Sequence, residues 1–549
     1  VAFWNVLQRL ELGLDMAPGP KKIVSVEKGK VKPHEFDKYE GVVLETAHIQ
    51  TPIEEVYFTG NMLSKYEACT DSLKDIINTD GDNEETWEKF DEHFTKFLNM
   101  SWATNWDGMR YDIVFYGVSG YTGYLMIQYL KRTALVRNRE PFTFAFAGRT
   151  ANKVRELRDR EFAGTDYEDI PIIQASYDDV FSLMDLCRSA HVIVNVAGPY
   201  MLTQGELLLD CCCRCGTDYC DVSGEIPWSH RTLALHEQAR KSKVTLVPSA
   251  AVAGGYPDLL TFLMAKKLRE EHGEELRRSI VYFSGGGTVA GASGGTLASR
   301  GAMSNASDET RKLMANPFAL GGFIPTFDRN GMKEMTIQTG TGKVTHKVRR
   351  EDTDAVLSKV SQCPHTGVYR APHMYSYFDT RIVRRSNALF ADLTNQPYGK
   401  ELCFQEFILL PPEIAQQAAG GAKAPAGPSV ADEKAALKEK GLYFSQGSGP
   451  DLNQLDDAWL SMNAWAETTS GHQARCGLVG RDGYFETARC AVEMAMTLRF
   501  DKKSLPVVGG VLNATVVGQT WYADRLINSG LNFRMGGWFD FEEMKPPPF

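Results

Sequence analysis

At 549 residues the chain is longer than one hydrophobic core usually organises, so two or three domains are expected. Its 43% hydrophobic and 23% charged residues are those of an ordinary globular protein, and a formal net charge of −9 without any basic block argues against nucleic acid as a main partner. No run of about 18 apolar residues escapes interruption by Gly, Pro, Asp or Asn, so no transmembrane span is expected.

The 11 cysteines are an odd number in a chain too long to need disulfide staples. With Cys211, Cys212, Cys213, Cys215 and Cys220 crowded together, they fit an intracellular, reducing compartment, the mitochondrion before the cytoplasm. Opening on Val1, the chain reads as processed or incomplete, although VAFWNVLQRLELGLDMAPGP lacks the Arg-rich, acid-poor character of a transit peptide.

Residues 1–107 read as a helical and irregular acidic extension. Within it Trp87, Phe90, Phe94 and Phe97 recur at helical spacing behind the capping pair Asp82 and Glu85, which predicts an amphipathic helix. Its aromatic stripe either packs on the protein's own body or docks a protein partner.

Residues 108–255 change character. The apolar runs YDIVFY, FTFAFA, IPIIQA, HVIVNV, TDYCDV and VTLVP, separated by helix-length segments, predict an α/β fold with a Rossmann-type parallel sheet. Between the first run and its helix, Gly117, Gly120 and Gly123 form a G-x-x-G-x-x-G turn with Ser119, Tyr121 and Thr122. Such a turn brings backbone amides and the positive end of a helix to a diphosphate, so the expected partner is a nicotinamide dinucleotide. NAD-selective domains end their second strand with an acid that binds the ribose hydroxyls. Here the strand ends in Gly148, Arg149 and Thr150, with Lys153 close behind, and guanidinium in place of carboxylate selects NADP (NADPH). Asp178 is expected to border the adenine, and Asn195, Ala197, Gly198 and Pro199 to flank the nicotinamide ribose.

Residues 256–483 read as an α+β, mixed-sheet second domain for substrate or dimerisation, with a flexible alanine-rich insertion at 411–441. Residues 484–549 are expected to pack back on the first domain, beginning with a helix from Gly483.

The motifs GVSGYTG, AGRT, VNVAGPYMLTQGELLLDCC and DYCDVSGE, in that order, resemble the saccharopine dehydrogenase-like oxidoreductases, which include the trans-acting enoyl reductases. The likeness continues through ASGGTLAS, DTRIVRRSNAL, GYFETA and GGVLNATVVGQ, spanning roughly 109–533. It implies a Rossmann domain, a mixed-sheet second domain, a final segment returning to the first, and nicotinamide-dependent reduction, with lipid-like enoyl substrates in the best-defined branch. Where that family carries a CGFDS-like turn this chain reads AVAGGYPDLL, keeping Pro257 and Asp258. Where animal and fungal relatives carry a long apolar segment, residues 409–424 are polar and alanine-rich.

Hydride transfer needs a group that gives or takes the substrate proton, and such groups sit on loops at the carboxyl ends of strands. Tyr200, Glu225, Tyr256 and Asp258 are the catalytic candidates, with His230 beside them. Ser293, Gly294, Gly295 and Thr296 either cradle an anion or make a structural turn, and Arg381, Arg384 and Arg385 are candidates for a carboxylate or carrier phosphate. The cysteine cluster lies late in a predicted helix without a second pair at zinc-site spacing, so it reads as buried thiols and no metal site is expected. Three functions remain open: an NADP-dependent oxidoreductase acting on an apolar enoyl or carbonyl, lipid-like substrate; a cofactor-binding but catalytically silent accessory subunit of a larger complex, a mitochondrial one among the options; and, behind these, a lysine-pathway saccharopine reductase, for which no substrate-specific residues can be identified.

Overall fold

The six apolar runs become six parallel strands: β3 (Tyr111–Tyr116), β4 (Phe144–Gly148), β5 (Ile172–Gln174), β6 (Ala190–Asn195), β7 (Asp218–Asp221) and β8 (Thr245–Val247). The computed structural model describes residues 110–547 apart from 136–141, 204, 288–290, 324–331, 340–341, 353–356, 358, 420–434, 436 and 441, together with two strands near the start. Those two, β1 (Ile23–Glu27) and β2 (Lys30–His34), pair antiparallel. The helix expected around Trp87 and most of the alanine-rich excursion lie outside the described residues.

A seventh strand, Gly510–Val511, adds to the edge of the first sheet, whose order is Gly510–Val511, β8, β7, β6, β3, β4, β5. Every pairing in it is parallel. The order reverses between β3 and β6, and this switch point opens the crevice where such sheets hold ligands. Successive side chains divide between faces: Ile113, Phe115, Val192 and Val194 enter one core, Val114 and Ile193 the other. Both faces are therefore apolar, which is why these strands read as continuous hydrophobic runs.

The second sheet is mixed. Its strands β9 (Leu276–Gly286), β12 (Ser361–Gln362), β13 (Tyr369–Pro372), β14 (Cys403–Leu410), β15 (Trp459–Thr468), β16 (Gln473–Arg481) and β18 (Asn532–Met535) lie in the order β12, β13, β14, β9, β15, β16, β18. β14 and β9 pair parallel while the other neighbours run antiparallel. β10 (Met332–Thr339) and β11 (Gly342–Arg349) form a separate hairpin.

Two helices lie between the sheets. Gly483–Met496 packs on β6 and β7, Val252–His272 packs on β9, β15 and β16, and the two touch each other. Polar groups caught in this layer are satisfied internally: Tyr256 donates to Glu486 Oε2 at 2.6 Å, and Arg489 Nε donates to the same oxygen at 2.9 Å. The final segment serves both sheets rather than only the first. The strand Gly510–Val511, β17, extends the first sheet, whereas β18 and the tail residues Phe539 and Met544 belong to the second. No helix among the described residues is long and apolar enough to cross a membrane.

Candidate functional site

Beyond β3 the chain turns through Gly117 into the helix Tyr121–Tyr129. Gly117 has φ +92°, and a Cβ there would stand 2.7 Å from the amide nitrogen of Ala197. At Gly123 a Cβ would stand 2.7 Å from the carbonyl oxygen of Gly117 and overlap Val118 Cα. Close packing thus demands glycine at both places. Gly120 differs, because its Cβ would meet only the Gly117 oxygen, at 3.4 Å. It is the N-cap of the helix, no side chain caps it, and it lines the cleft. The first-turn amides are consequently presented to whatever anion enters.

The cleft, about 1260 Å³, runs from this turn to the second sheet. On the nucleotide side Gly117, Ser119, Gly120, Tyr121 and Thr122 line it, followed by Arg149 and Lys153 after β4, Asp178 after β5, and Ala197, Gly198 and Pro199 after β6. Arg149, Lys153 and Asp178 are exposed. Arg149 makes no ion pair among the described residues, so its guanidinium is available to a phosphate. Two residues expected at the cofactor stand behind it. Gly123 serves helix packing, and Asn195 is wholly buried, donating from Nδ2 to the hydroxyls of Tyr177 (3.0 Å) and Tyr219 (2.9 Å) while Oδ1 accepts from the amide of Ala197 at 3.0 Å. Asn195 shapes the loop that the cofactor would touch.

The catalytic candidates separate in the same way. Tyr200 and Glu225 line the cleft. Tyr200 stacks on Trp228 with ring centroids 5.5 Å apart, and its hydroxyl, pushed well up by burial, donates to the carbonyl of Asn195 at 2.8 Å. Glu225 accepts from the amides of Tyr200 (3.2 Å) and Met201 (2.6 Å) and from Ser299 Oγ (2.6 Å), and burial raises its carboxyl above the usual range. Tyr256 and Asp258 do not line the cleft. Both are buried in the inter-sheet layer, Tyr256 on Glu486 and Asp258 accepting from Ser386 Oγ (2.6 Å) and Tyr398 (2.9 Å). His230 is exposed and also away from the cleft.

The arginines near residue 381 are structural clamps. Arg381 donates to the carbonyls of Asn316, Met314 and Tyr377, Arg384 to those of Pro317 and Asp352, and Arg385 to those of Leu320 and Val511. Ser293 caps the helix Gly294–Ser304 by accepting from the amide of Thr296 at 3.3 Å, while its own amide donates to Tyr484. Ser293, Gly295 and Thr296 nonetheless face the cleft. The cysteines among the described residues pack as thiols, with Cys187 Sγ and Cys212 Sγ 3.6 Å apart.

The wall opposite the glycine turn went unread in the sequence. It brings together Leu202, on the loop after β6, with Phe283, Met303, Met374, Tyr375 and Tyr377, which are scattered over many residues and joined by the second sheet and its helices. Leu202 is 66% exposed, Met374 55% and Tyr375 40%, so this wall is both apolar and accessible. His373 and Asp379 stand among these residues.

A parallel sheet with an uncapped glycine turn at its switch point, and a free guanidinium where a ribose-binding acid would stand, is a Rossmann domain fitted to NADP. The family model described as saccharopine dehydrogenase NADP binding domain matches residues 113–247. A Mycobacterium tuberculosis protein grouped by name with the trans-acting enoyl reductases is 27% identical over 443 residues, 77% of this chain and 97% of its own length. The trans-acting enoyl reductase of Mycobacterium leprae is 25% identical over 447 residues, with the same coverage. Among solved structures, an apo saccharopine dehydrogenase (L-Glu forming) from Saccharomyces cerevisiae aligns over 77% of this chain and 99% of its own at 14% identity and a TM-score of 0.41. Residues 113–247 thus form an NADP-binding domain of the saccharopine dehydrogenase type, and the chain is an oxidoreductase, similar to the trans-acting enoyl reductases, whose cofactor is NADP(H).

Proposed function

We propose that the protein reduces an apolar enoyl or carbonyl substrate with NADPH. The observation that carries this reading is the single cleft in which an anion-binding glycine turn faces an accessible wall of Leu202, Met374 and Tyr375. Burying that much apolar surface against an acyl chain is worth about 25 cal/mol per Å², enough to hold a long-chain substrate without charge recognition. The names of the mycobacterial relatives, matched over nearly their full length, support the enoyl class.

When bound, NADPH supplies the hydride. The chain's own residues would position it: the Gly117–Gly123 turn would seat the diphosphate and Arg149 would pair with the 2′-phosphate, while Glu225 holds the Tyr200–Met201 loop against the helix bearing Ser299. An acyl chain laid on the apolar wall would exclude water from the reacting end.

The test is NADPH oxidation, followed by absorbance, against enoyl thioesters of increasing chain length. Turnover that rises with chain length is expected. Tight NADPH binding without oxidation of any member would overturn the reading and favour a cofactor-holding accessory subunit.

A further inference from the structure

The cleft's second-lobe wall contains a group of side chains that hydride transfer does not use. His373 follows the end of β13, Asp379 sits in the first turn of the helix Ser376–Thr394, and Glu406 projects from β14. β13 and β14 pair with Pro372 opposite Phe407, which sets His373 beside Glu406. One donor atom from each residue lies within 4.8 Å of the other two, and His373 Nδ1 is 3.3 Å from Glu406 Oε1.

All three are deeply buried, with 8%, 0% and 3% exposure. Yet His373 Nδ1, Asp379 Oδ2 and both oxygens of Glu406 have no hydrogen-bond partner outside the group itself. No lysine or arginine among the described residues pairs with either carboxylate. Arg370, nearby on β13, lies over the ring of Phe407, which by strand alternation points to the opposite face from Glu406. Two carboxylates facing each other away from water are costly unless a shared proton or a cation lies between them.

We propose that His373, Asp379 and Glu406 bind one divalent transition-metal cation, such as zinc or manganese, with an open coordination position toward the cleft. The donor set is one imidazole and two carboxylates, the mixture such ions accept. Ligand bonds of about 2.0–2.2 Å require only a small inward movement of side chains. Supporting contacts are in place: Asp379 Oδ1 accepts from the amide of Gly254 at 2.7 Å, and the His373 ring stacks on Phe283 at 4.7 Å. Ligation needs both carboxylates ionised and the imidazole neutral, so a cation entering the group displaces any proton held there. His373 and Asp379 line the cleft, so three protein ligands leave a position for a substrate oxygen or water.

The full chain, stripped with chelator and dialysed, is titrated calorimetrically with Zn²⁺ and with Mn²⁺, alongside Glu406→Gln and His373→Ala. We expect one ion per chain for at least one metal, with proton release, and weakening of about 100-fold in either variant. NADPH affinity serves as the folding control and does not depend on the outcome for substrate. Absence of saturable binding to wild type that still binds NADPH would overturn the site. Equal binding in Glu406→Gln, or a carboxylic-acid infrared band that persists under saturating metal and disappears in Glu406→Gln, would equally overturn it.

Discussion

Ser299 Oγ, on a helix that follows β9, donates to Oε1 of Glu225, on the loop after β7, at 2.6 Å. The carboxylate that receives it also accepts the amides of Tyr200 and Met201, so one side chain ties the loop after β6 to the helix Gly294–Ser304.

Removing Glu225 therefore costs more than removing its bridge. Glu225→Ala strands two amides and is expected to destabilise by about 2–4 kcal/mol, whereas Ser299→Ala costs about 1 kcal/mol. Melting temperatures measured side by side give the ranking. Equal losses would mean that the loop is anchored elsewhere.

The three glycines of the turn are expected to respond differently. Gly123→Ala drives a methyl into Val118 and the Gly117 carbonyl, and should lower the melting temperature sharply together with nucleotide affinity. Gly120→Ala meets only one atom, at 3.4 Å, and should leave melting nearly unchanged while weakening NADPH by about tenfold or more. Fluorescence titration and a melt on each variant separate the two effects.

Arg149→Asp is expected to weaken NADPH by at least about tenfold and to change NADH only a few-fold, because guanidinium and 2′-phosphate form a charge-assisted pair that NADH lacks. Parallel titrations decide it. Equal losses for both dinucleotides would remove Arg149 from 2′-phosphate recognition.

Asp258 makes stability depend on pH. Burial raises its carboxyl from 3.8 to about 7. The folded chain thus holds a proton that the unfolded chain releases, and protonation favours folding. That contribution is complete below the unfolded value and is lost as the pH climbs through about 7, on the order of 2–4 kcal/mol. Asp258→Asn should flatten the fall in melting temperature between about pH 5 and about pH 8. An unchanged slope would assign the dependence to other groups.

Local pattern carried much of this fold. The runs YDIVFY and HVIVNV show β-rich continuity because both faces of β3 and β6 are covered, and Gly117 and Gly123 are glycine for reasons of backbone contact that spacing alone can flag. Chemistry in the second lobe was far less legible. Arg381, Arg384 and Arg385 resemble an anion site in sequence but donate to carbonyls, and Tyr256 and Asp258 sit after a strand yet point into the inter-sheet layer. Conversely, nothing local links His373 with Glu406. Their proximity arises from the register between β13 and β14, which depends on the whole sheet.

The last sixty or so residues hold an edge strand in each sheet, β17 in the first and β18 in the second, with the helix Ala514–Asn528 between them. Any opening of the cleft must therefore carry this segment along or strain it, which restricts the lobes to small relative displacements. A substrate with a long chain would then have to enter without prising the lobes apart, along the exposed apolar residues Leu202 and Met374.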